Sequence, residues 1–118
     1  MQRSRTPEEL LPLTHLTYHV LLAMADRRLH GYGIIQEIER RTDGAMHVEA
    51  GTLYAAIKRM VQEQLIEPVA SSEPRRRNYE PTAFGRAVLR AESERLAKLL
   101  EVACDKKVLP APTARANG

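Results

Sequence analysis

The spacing of hydrophobic residues changes at Leu65, and this change limits the folds that the chain can adopt. In the segment 49–60, Leu53, Ile57 and Met60 recur four and three positions apart, which is typical of a helix with one buried face. After Leu65 the segments LIEPVA and RRNYE are short and strand-like, with turn-forming residues between them. Pro68 cannot donate a ladder hydrogen bond, so its strand is expected at a sheet edge. The pattern therefore predicts helices followed by a small two-stranded hairpin.

Helical signals also precede this region. Thr6, Pro7 and Glu9 match the pattern of a capping box at a helix start, and Pro12 interrupts that element after a few residues. A second start at Thr14 leads into a densely apolar segment that is expected in the centre of the core. The sequence thus predicts one short and one buried helix at the N-terminus.

Two more helices complete the order of elements. The segment from Gly31 carries apolar residues at helical spacing and ends at Asp43-Gly44, where glycine suits a left-handed cap. Thr82 is expected to cap a long final helix in which Leu89, Leu96 and Ala103 repeat every seven residues. We therefore expect a mainly α fold with a small β-hairpin, namely a winged helix-turn-helix domain plus a long C-terminal helix.

The segment 49–60 also has an outward face that is small, polar or basic. In a helix-turn-helix, the second helix lies in the DNA major groove and its first residues reach base edges. Thr52, Lys58 and Arg59 point away from the apolar stripe, and Tyr54 is placed to contact backbone or a thymine methyl group. A solvated surface face is the alternative interpretation of these residues.

The predicted hairpin tip makes DNA binding the better interpretation. Arg75, Arg76 and Arg77 stand side by side where a wing would meet phosphates or the minor groove. In a strand, Arg76 and Arg77 would point to opposite faces, so the three cannot all contact DNA. The alternative is a charged edge that prevents strand pairing with other molecules.

Three blocks of the sequence resemble the PadR family of bacterial transcriptional regulators. These are HGYGIIQEIERRT, GTLYAAIKRMVQEQLIE and RRRNYEPTAFGR, which occur in the family order over residues 10–90. The resemblance implies a homodimer that binds double-stranded operator DNA, usually as a repressor released by an effector. It implies DNA contacts from Thr52 and Tyr54 at the start of the recognition helix, from Lys58 further along, and from Arg75–Arg77 on the wing.

The final helix is too long for the small domain to cover. Its apolar stripe is expected to pair with a second copy, with Leu10 and Leu11 of the first element placed against the partner helix. Packing within one chain is the alternative. The expected dimerisation residues are Leu10, Leu11, Leu89, Leu96, Leu99, Leu100 and Ala103.

These inferences divide the chain into three parts. Residues 1–81 are expected to form the winged-helix DNA-binding domain, 82–109 the C-terminal dimerisation helix, and 110–118 a disordered tail. The expected function is sequence-specific DNA-binding transcriptional regulation, with a small hydrophobic effector as a further ligand. A winged-helix protein–protein interaction module without sequence-specific DNA binding is the second hypothesis.

Composition agrees with a cytoplasmic protein that neither spans a membrane nor carries a secretory signal. The chain is 43% hydrophobic and 28% charged, its formal net charge is +3, and Cys104 is its only cysteine. His15 and His19 have a spacing that can hold zinc, but no third ligand accompanies them in a motif. No catalytic constellation is present, so we expect neither an enzyme nor a cofactor.

Overall fold

Helices dominate the fold, and a small antiparallel sheet joins them. The computed structural model describes residues 5–71, 73 and 76–111. The described residues form a short 3-10 helix, four α-helices and three strands, in this order: 3-10 helix Pro7–Leu10, α1 His15–Ala23, β1 Leu29–His30, α2 Gly31–Arg41, α3 Ala50–Gln62, β2 Ile66–Val69, β3 Asn78–Pro81 and α4 Ala83–Asp105.

The core lies between α1, α2, α3 and the first half of α4. It contains the residues that the helical spacing predicted, because each of these helices turns one apolar stripe inward. Burying each large aliphatic side chain stabilises the fold by about 1.5–3 kcal/mol. The fully buried side chains of the core include Val20, Leu21, Met24, Ile34, Ile38, Leu53, Met60, Leu65, Ile66 and Val88.

The sheet has three strands, so the prediction of a two-stranded hairpin was incomplete. The strand order is β1-β3-β2, and β1 pairs with β3 through Leu29 opposite Tyr79 and His30 opposite Asn78. A strand of two residues has no alternation that could be recognised in the sequence. The position of β2 at a sheet edge, predicted from Pro68, is confirmed.

The expected capping box at Thr6 is wrong. Residues 7–10 form a 3-10 helix, and the Thr6 side chain accepts no capping hydrogen bond. Pro12 follows too soon for an α-helix to form, so the reciprocal geometry of a capping box is not reached. The cap at Thr14 is confirmed, since its hydroxyl accepts a hydrogen bond from the Thr17 amide at 3.1 Å.

The junction between β3 and α4 is held by Thr82 and Gly85. The Thr82 hydroxyl accepts from the Gly85 amide at 2.9 Å, which confirms the predicted cap, and the Thr82 amide donates to the Leu65 carbonyl at 3.0 Å. A β-carbon at position 85 would lie 1.9 Å from that same carbonyl oxygen. Only glycine therefore allows α4 to start this close to the end of α3.

A buried carboxylate ties the N-terminal segment to α4. Glu92 is 2% exposed and accepts three hydrogen bonds, one from the Leu13 amide at 2.8 Å and two from Arg95, through Nε at 2.5 Å and Nη2 at 3.1 Å. The hydrogen bonds from Arg95 and from the Leu13 amide hold the pKa of Glu92 below its ordinary value of 4.5, although burial acts in the opposite direction. The ionised form is therefore the one that the fold stabilises.

Replacing Glu92 with glutamine is expected to lower the free energy of unfolding by about 2 kcal/mol at pH 7, because charge-assisted hydrogen bonds are lost. A lowered pKa contributes stability that is present above the unfolded-state value and lost as pH falls through the lower folded-state value. The free energies of unfolding of wild type and Glu92→Gln should therefore become more similar below about pH 4.5. Urea denaturation at several pH values measures this, with the exposed Glu94→Gln as control. An unchanged difference at pH 3 would contradict the account.

Candidate nucleic-acid interface

Helix α3 presents an apolar face to the core and a polar face to solvent, as its sequence predicted. Leu53, Ile57 and Met60 are buried, whereas Thr52, Lys58 and Arg59 are exposed. Glu49 occupies the N-cap position, but its side chain accepts no capping hydrogen bond. The Glu49 carboxylate therefore accepts no capping hydrogen bond from the backbone amides at the start of α3.

Tyr54 lies across the start of α2. It is 51% exposed, and a β-carbon at position 31 would be 2.6 Å from its hydroxyl oxygen. Because Gly31 has no side chain, the phenol ring of Tyr54 can occupy this space. The ring therefore packs closely against the start of α2.

The wing, which consists of β2, β3 and the residues between them, stands beside α3. Arg76 and Arg77 are exposed on it, and Arg75 lies outside the described residues. Both described arginines precede β3, which begins at Asn78, so the alternation expected for a strand does not separate them. The side chains of Arg76 and Arg77 can therefore face the same side of the wing.

A groove separates α3 from the wing, and we call it the basic groove. Lys58 lines it from α3 and Arg77 lines it from the wing, while Tyr54 and Tyr79 contribute aromatic surface. This arrangement brings the predicted recognition helix and the predicted wing arginine to one concave surface. The remaining lining residues are Ile57, Val61, Gln62 and Pro68.

A second pocket continues from the basic groove toward α2. It shares Tyr54, Arg77 and Tyr79 with the groove, and we call it the His30 pocket; its other lining residues are His30, Gly31, Tyr32 and Arg76. Residue 30 caps α2, because its Nδ1 accepts a hydrogen bond from the Gly33 amide at 3.0 Å. His30 and Tyr32 were not predicted from the sequence, although a histidine directly before a glycine at a helix start was an available signal.

Two acidic residues lie near the start of α3, and a histidine bridges them. His47 Nδ1 contacts the Glu39 carboxylate of α2, and Nε2 is 3.3 Å from Glu49 Oε2. The hydrogen bond to Glu39 is the main reason that the pKa of His47 lies above its ordinary value, with the charges of Glu39 and Glu49 adding to it. Protonated His47 therefore offsets negative charge at the start of α3.

Three arginines near α2 share one carboxylate; Arg40 and Arg41 lie on α2, and Arg27 precedes β1. Arg27, Arg40 and Arg41 all contact the carboxylate of Glu37, at 3.0, 2.5 and 3.2 Å. Hydrogen bonding from Arg40 is the main cause that lowers the pKa of Glu37. Because Arg27 and Arg40 are mostly exposed, these ion pairs contribute little to stability.

The expected dimerisation residues lie in two environments. Leu89 belongs to the core of its own chain, and Leu10 and Leu11 are partly buried against that core. Leu99 and Leu100, by contrast, are 54% and 56% exposed. Leu96 and Ala103 are half-buried. The exposed apolar surface of α4 thus begins after its first half.

The histidines of α1 contact each other. The rings of His15 and His19 meet edge to face with centroids 4.5 Å apart. Burial is the main cause that lowers the pKa of His19, and the nearby His15 and Arg41 add to it. Within residues 5–71, 73 and 76–111, no group of three or more potential ligands could hold a metal ion. Among these same residues, no helix is both long and apolar enough to cross a bilayer.

Comparison with known proteins identifies the family. A protein of Lysinibacillus sphaericus, named only uncharacterized protein X, is 30% identical over 91 residues, covering 75% of this chain and 84% of that protein. A PadR family transcription regulator from Clostridium difficile superposes with a TM-score of 0.66 at 22% identity, covering 77% of this chain and 96% of that one. Bacillus subtilis PadR, solved in complex with operator DNA, gives a TM-score of 0.60 at 17% identity, covering 78% and 60%.

The fold and the sequence agree in this comparison. The solved structures share the winged-helix architecture and the long C-terminal helix. The family model for transcriptional regulators of the PadR-like family matches residues 20–91, which is more than half of the 118-residue chain. The chain therefore belongs to the PadR-like family of transcriptional regulators.

Proposed function

We propose that this protein is a sequence-specific DNA-binding transcriptional regulator. Helix α3 enters the major groove with Thr52, Tyr54, Lys58 and Arg59, and the wing contacts the phosphate backbone with its arginines. The observation that carries this proposal is the basic groove, in which Lys58 and Arg77 face one concave surface from two different elements. The presence of operator DNA in the Bacillus subtilis PadR structure supports the same assignment.

The electrostatic part of this proposal has a direct test. Fluorescence anisotropy of a labelled duplex, titrated with the protein between 50 and 200 mM salt, gives the slope of log K against log salt. Each phosphate contact contributes about −0.9 to that slope, so several contacts predict a steep decline. Affinity that does not change with salt would contradict the proposal.

The regulatory direction is a further part of the proposal. We infer that the protein represses its target genes and is released when a small hydrophobic effector binds. An apolar concavity near the end of α4, lined in part by Ala97, Leu100 and Cys104, supports such a ligand. A thermal-shift screen with small aromatic compounds, followed by DNA release, tests this inference.

The alternative of a protein-interaction module has less support. Such a module needs an exposed apolar patch on its recognition surface. On the outward face of α3, Tyr54 is the large hydrophobic residue that is exposed, and Thr52, Lys58, Arg59 and Gln62 surround it. This surface suits a polyanion better than an apolar partner.

We also propose that α4 mediates homodimerisation and that residues up to Pro81 form the DNA-binding unit. The exposed leucines Leu99 and Leu100 are adjacent to Val102, which is 48% exposed. An apolar surface of this kind on a helix is normally covered by a partner, and a second copy is the commonest partner. Two copies would present two recognition helices to a dyad-symmetric site.

Replacing Leu100 with aspartate is expected to convert the dimer to a monomer at micromolar concentration, because a buried unpaired carboxylate opposes association. Sedimentation equilibrium measures the mass directly. Lys98→Ala, an exposed change on the same helix, is the control and should remain dimeric. A wild-type protein that is monomeric at 100 µM would contradict dimerisation through α4.

DNA affinity is expected to fall as pH rises above 6.5, because His47 then loses the proton that offsets Glu39 and Glu49. Because the pKa of His47 is raised, the proton is lost at a pH above the ordinary histidine value. The two carboxylates then repel the DNA phosphates. We expect about a two- to fivefold loss of affinity by pH 8.5. Anisotropy titrations at fixed salt measure it. His47→Gln should flatten the dependence; an equally steep profile in that variant would refute the role of His47.

A further inference from the structure

The side chains of His30 and Arg76 are in contact, but neither offers the other a hydrogen-bond acceptor. Nη1 of Arg76 is 3.1 Å from Nε2 of His30, while Nδ1 of the same ring accepts from the Gly33 amide at 3.0 Å. A neutral imidazole carries one proton, so accepting at Nδ1 places that proton on Nε2. Arginine only donates. Two N–H donors therefore lie side by side, and one acceptor atom within reach of both would satisfy them.

The surrounding pocket suits a small anion. The His30 pocket is lined by two arginines, Arg76 and Arg77, and by three tyrosines, Tyr32, Tyr54 and Tyr79. Tyr32 and Tyr54 are 59% and 51% exposed, so the pocket is open to solvent on the side that continues into the basic groove. Arginine and tyrosine donors are typical contacts to phosphate oxygens.

Pairing of β1 with β3 holds the two donors in place. His30 lies opposite Asn78 in this pairing, and Arg76 is only two residues before Asn78 in the chain. The carboxylate of Glu73 lies 3.8 Å from Arg76 Nη1 and is 65% exposed. A solvent-exposed ion pair of this kind is weak, so a competing anion can replace it.

We propose that the His30 pocket binds a phosphate oxygen that accepts hydrogen bonds from both His30 Nε2 and Arg76, and that this oxygen belongs to a phosphodiester of the DNA backbone. The proposal rests on the proposed DNA-binding function and extends it to residues outside the recognition helix. Through this contact the pocket anchors the wing and the start of α2 to one phosphate. Anchoring of this kind sets the register of α3 in the major groove without reading a base.

A scan of neutral phosphate replacements tests the proposal. Single methylphosphonates are placed at successive positions of a duplex that the protein binds, and affinity is measured by anisotropy. For wild type, one replacement in each half-site is expected to cost about tenfold, the value of one charge-assisted hydrogen bond. His30→Asn keeps an acceptor for the α2 cap but lacks Nε2, so the same replacement should cost it less than about twofold.

The affinity of Arg76→Ala should likewise be less sensitive to a methylphosphonate at the same position. This variant tests the site even if His30→Asn is unstable. Arg90→Ala, an exposed arginine on α4, is the matched control and should keep the wild-type profile. A wild-type profile in both pocket variants would overturn the proposal.

A titration with inorganic phosphate separates the pocket from the DNA-binding function. Saturable shifts of the His30 ring resonances that disappear in Arg76→Ala would support phosphate binding even if no duplex is bound. If free phosphate saturates the pocket but no methylphosphonate position lowers DNA affinity, the assignment of the phosphate to the DNA backbone would be overturned. An absence of shifts with both phosphate and duplex would overturn the pocket as an anion site.

Discussion

Replacing Gly85 with alanine is expected to destabilise the folded protein strongly. The added methyl group would lie 1.9 Å from the Leu65 carbonyl oxygen and 2.8 Å from its carbon. Overpacking against flexible side chains costs about 1–3 kcal/mol, and here the obstacle is backbone that hydrogen-bonds to Thr82. We therefore expect a loss of about 3–5 kcal/mol, a large share of the stability of a domain this size.

Urea denaturation followed by circular dichroism measures this loss. Gly51→Ala is the matched control, because a β-carbon at position 51 meets nothing within 4 Å. In α3 this control should stabilise the protein by about 0.5–1 kcal/mol through helix propensity. A Gly85→Ala protein as stable as wild type would show that α4 does not begin against Leu65 as described.

Replacing Lys58 with glutamate is expected to weaken duplex binding by about a hundredfold at 100 mM salt, because repulsion of phosphates replaces a favourable contact. Lys58 is exposed and lines the basic groove opposite Arg77, so the fold should not change. Anisotropy titrations measure the affinity, and the salt slope should fall by about one.

The control for this variant is Lys98→Glu, which makes the same charge change on an exposed position of α4. It alters net charge equally but lies outside the basic groove. If both variants lose affinity to the same extent, the effect comes from net charge and the groove is not the binding surface.

The sequence predicted the two faces of α3 well, because a regular period was present there. Leu53, Ile57 and Met60 defined the inner face of α3, which left Thr52 and Lys58 outward, and the structure has this arrangement. Local hydrogen-bonding patterns at Thr14 and Thr82 were also sufficient, because a cap depends on only a few neighbouring residues.

Features that depend on tertiary contacts were not predicted. Strand β1 has two residues and exists only because β3 pairs with it, and His30 enters the interface through that pairing. Gly85 is identified as necessary only when the Leu65 carbonyl is seen beside it. Glu92 resembles a surface residue of a polar helix, yet it is buried by the segment at Leu13.

The apolar stripe of α4 shows the same division. The heptad spacing suggested one continuous stripe from Leu89 to Ala103, but the globular part of the chain covers Leu89 and leaves Leu99 and Leu100 exposed. The spacing of a stripe indicates which residues share a face, whereas the length of the neighbouring elements determines how much of that face is buried.

Selection of sheared DNA from the source genome with the purified protein, read by sequencing at two salt concentrations, tests the central claim most directly. The account predicts that fragments converge on a dyad-symmetric site and that recovery falls as salt rises. Fragments recovered without any shared sequence, or no recovery at low salt, would contradict a sequence-specific DNA-binding regulator.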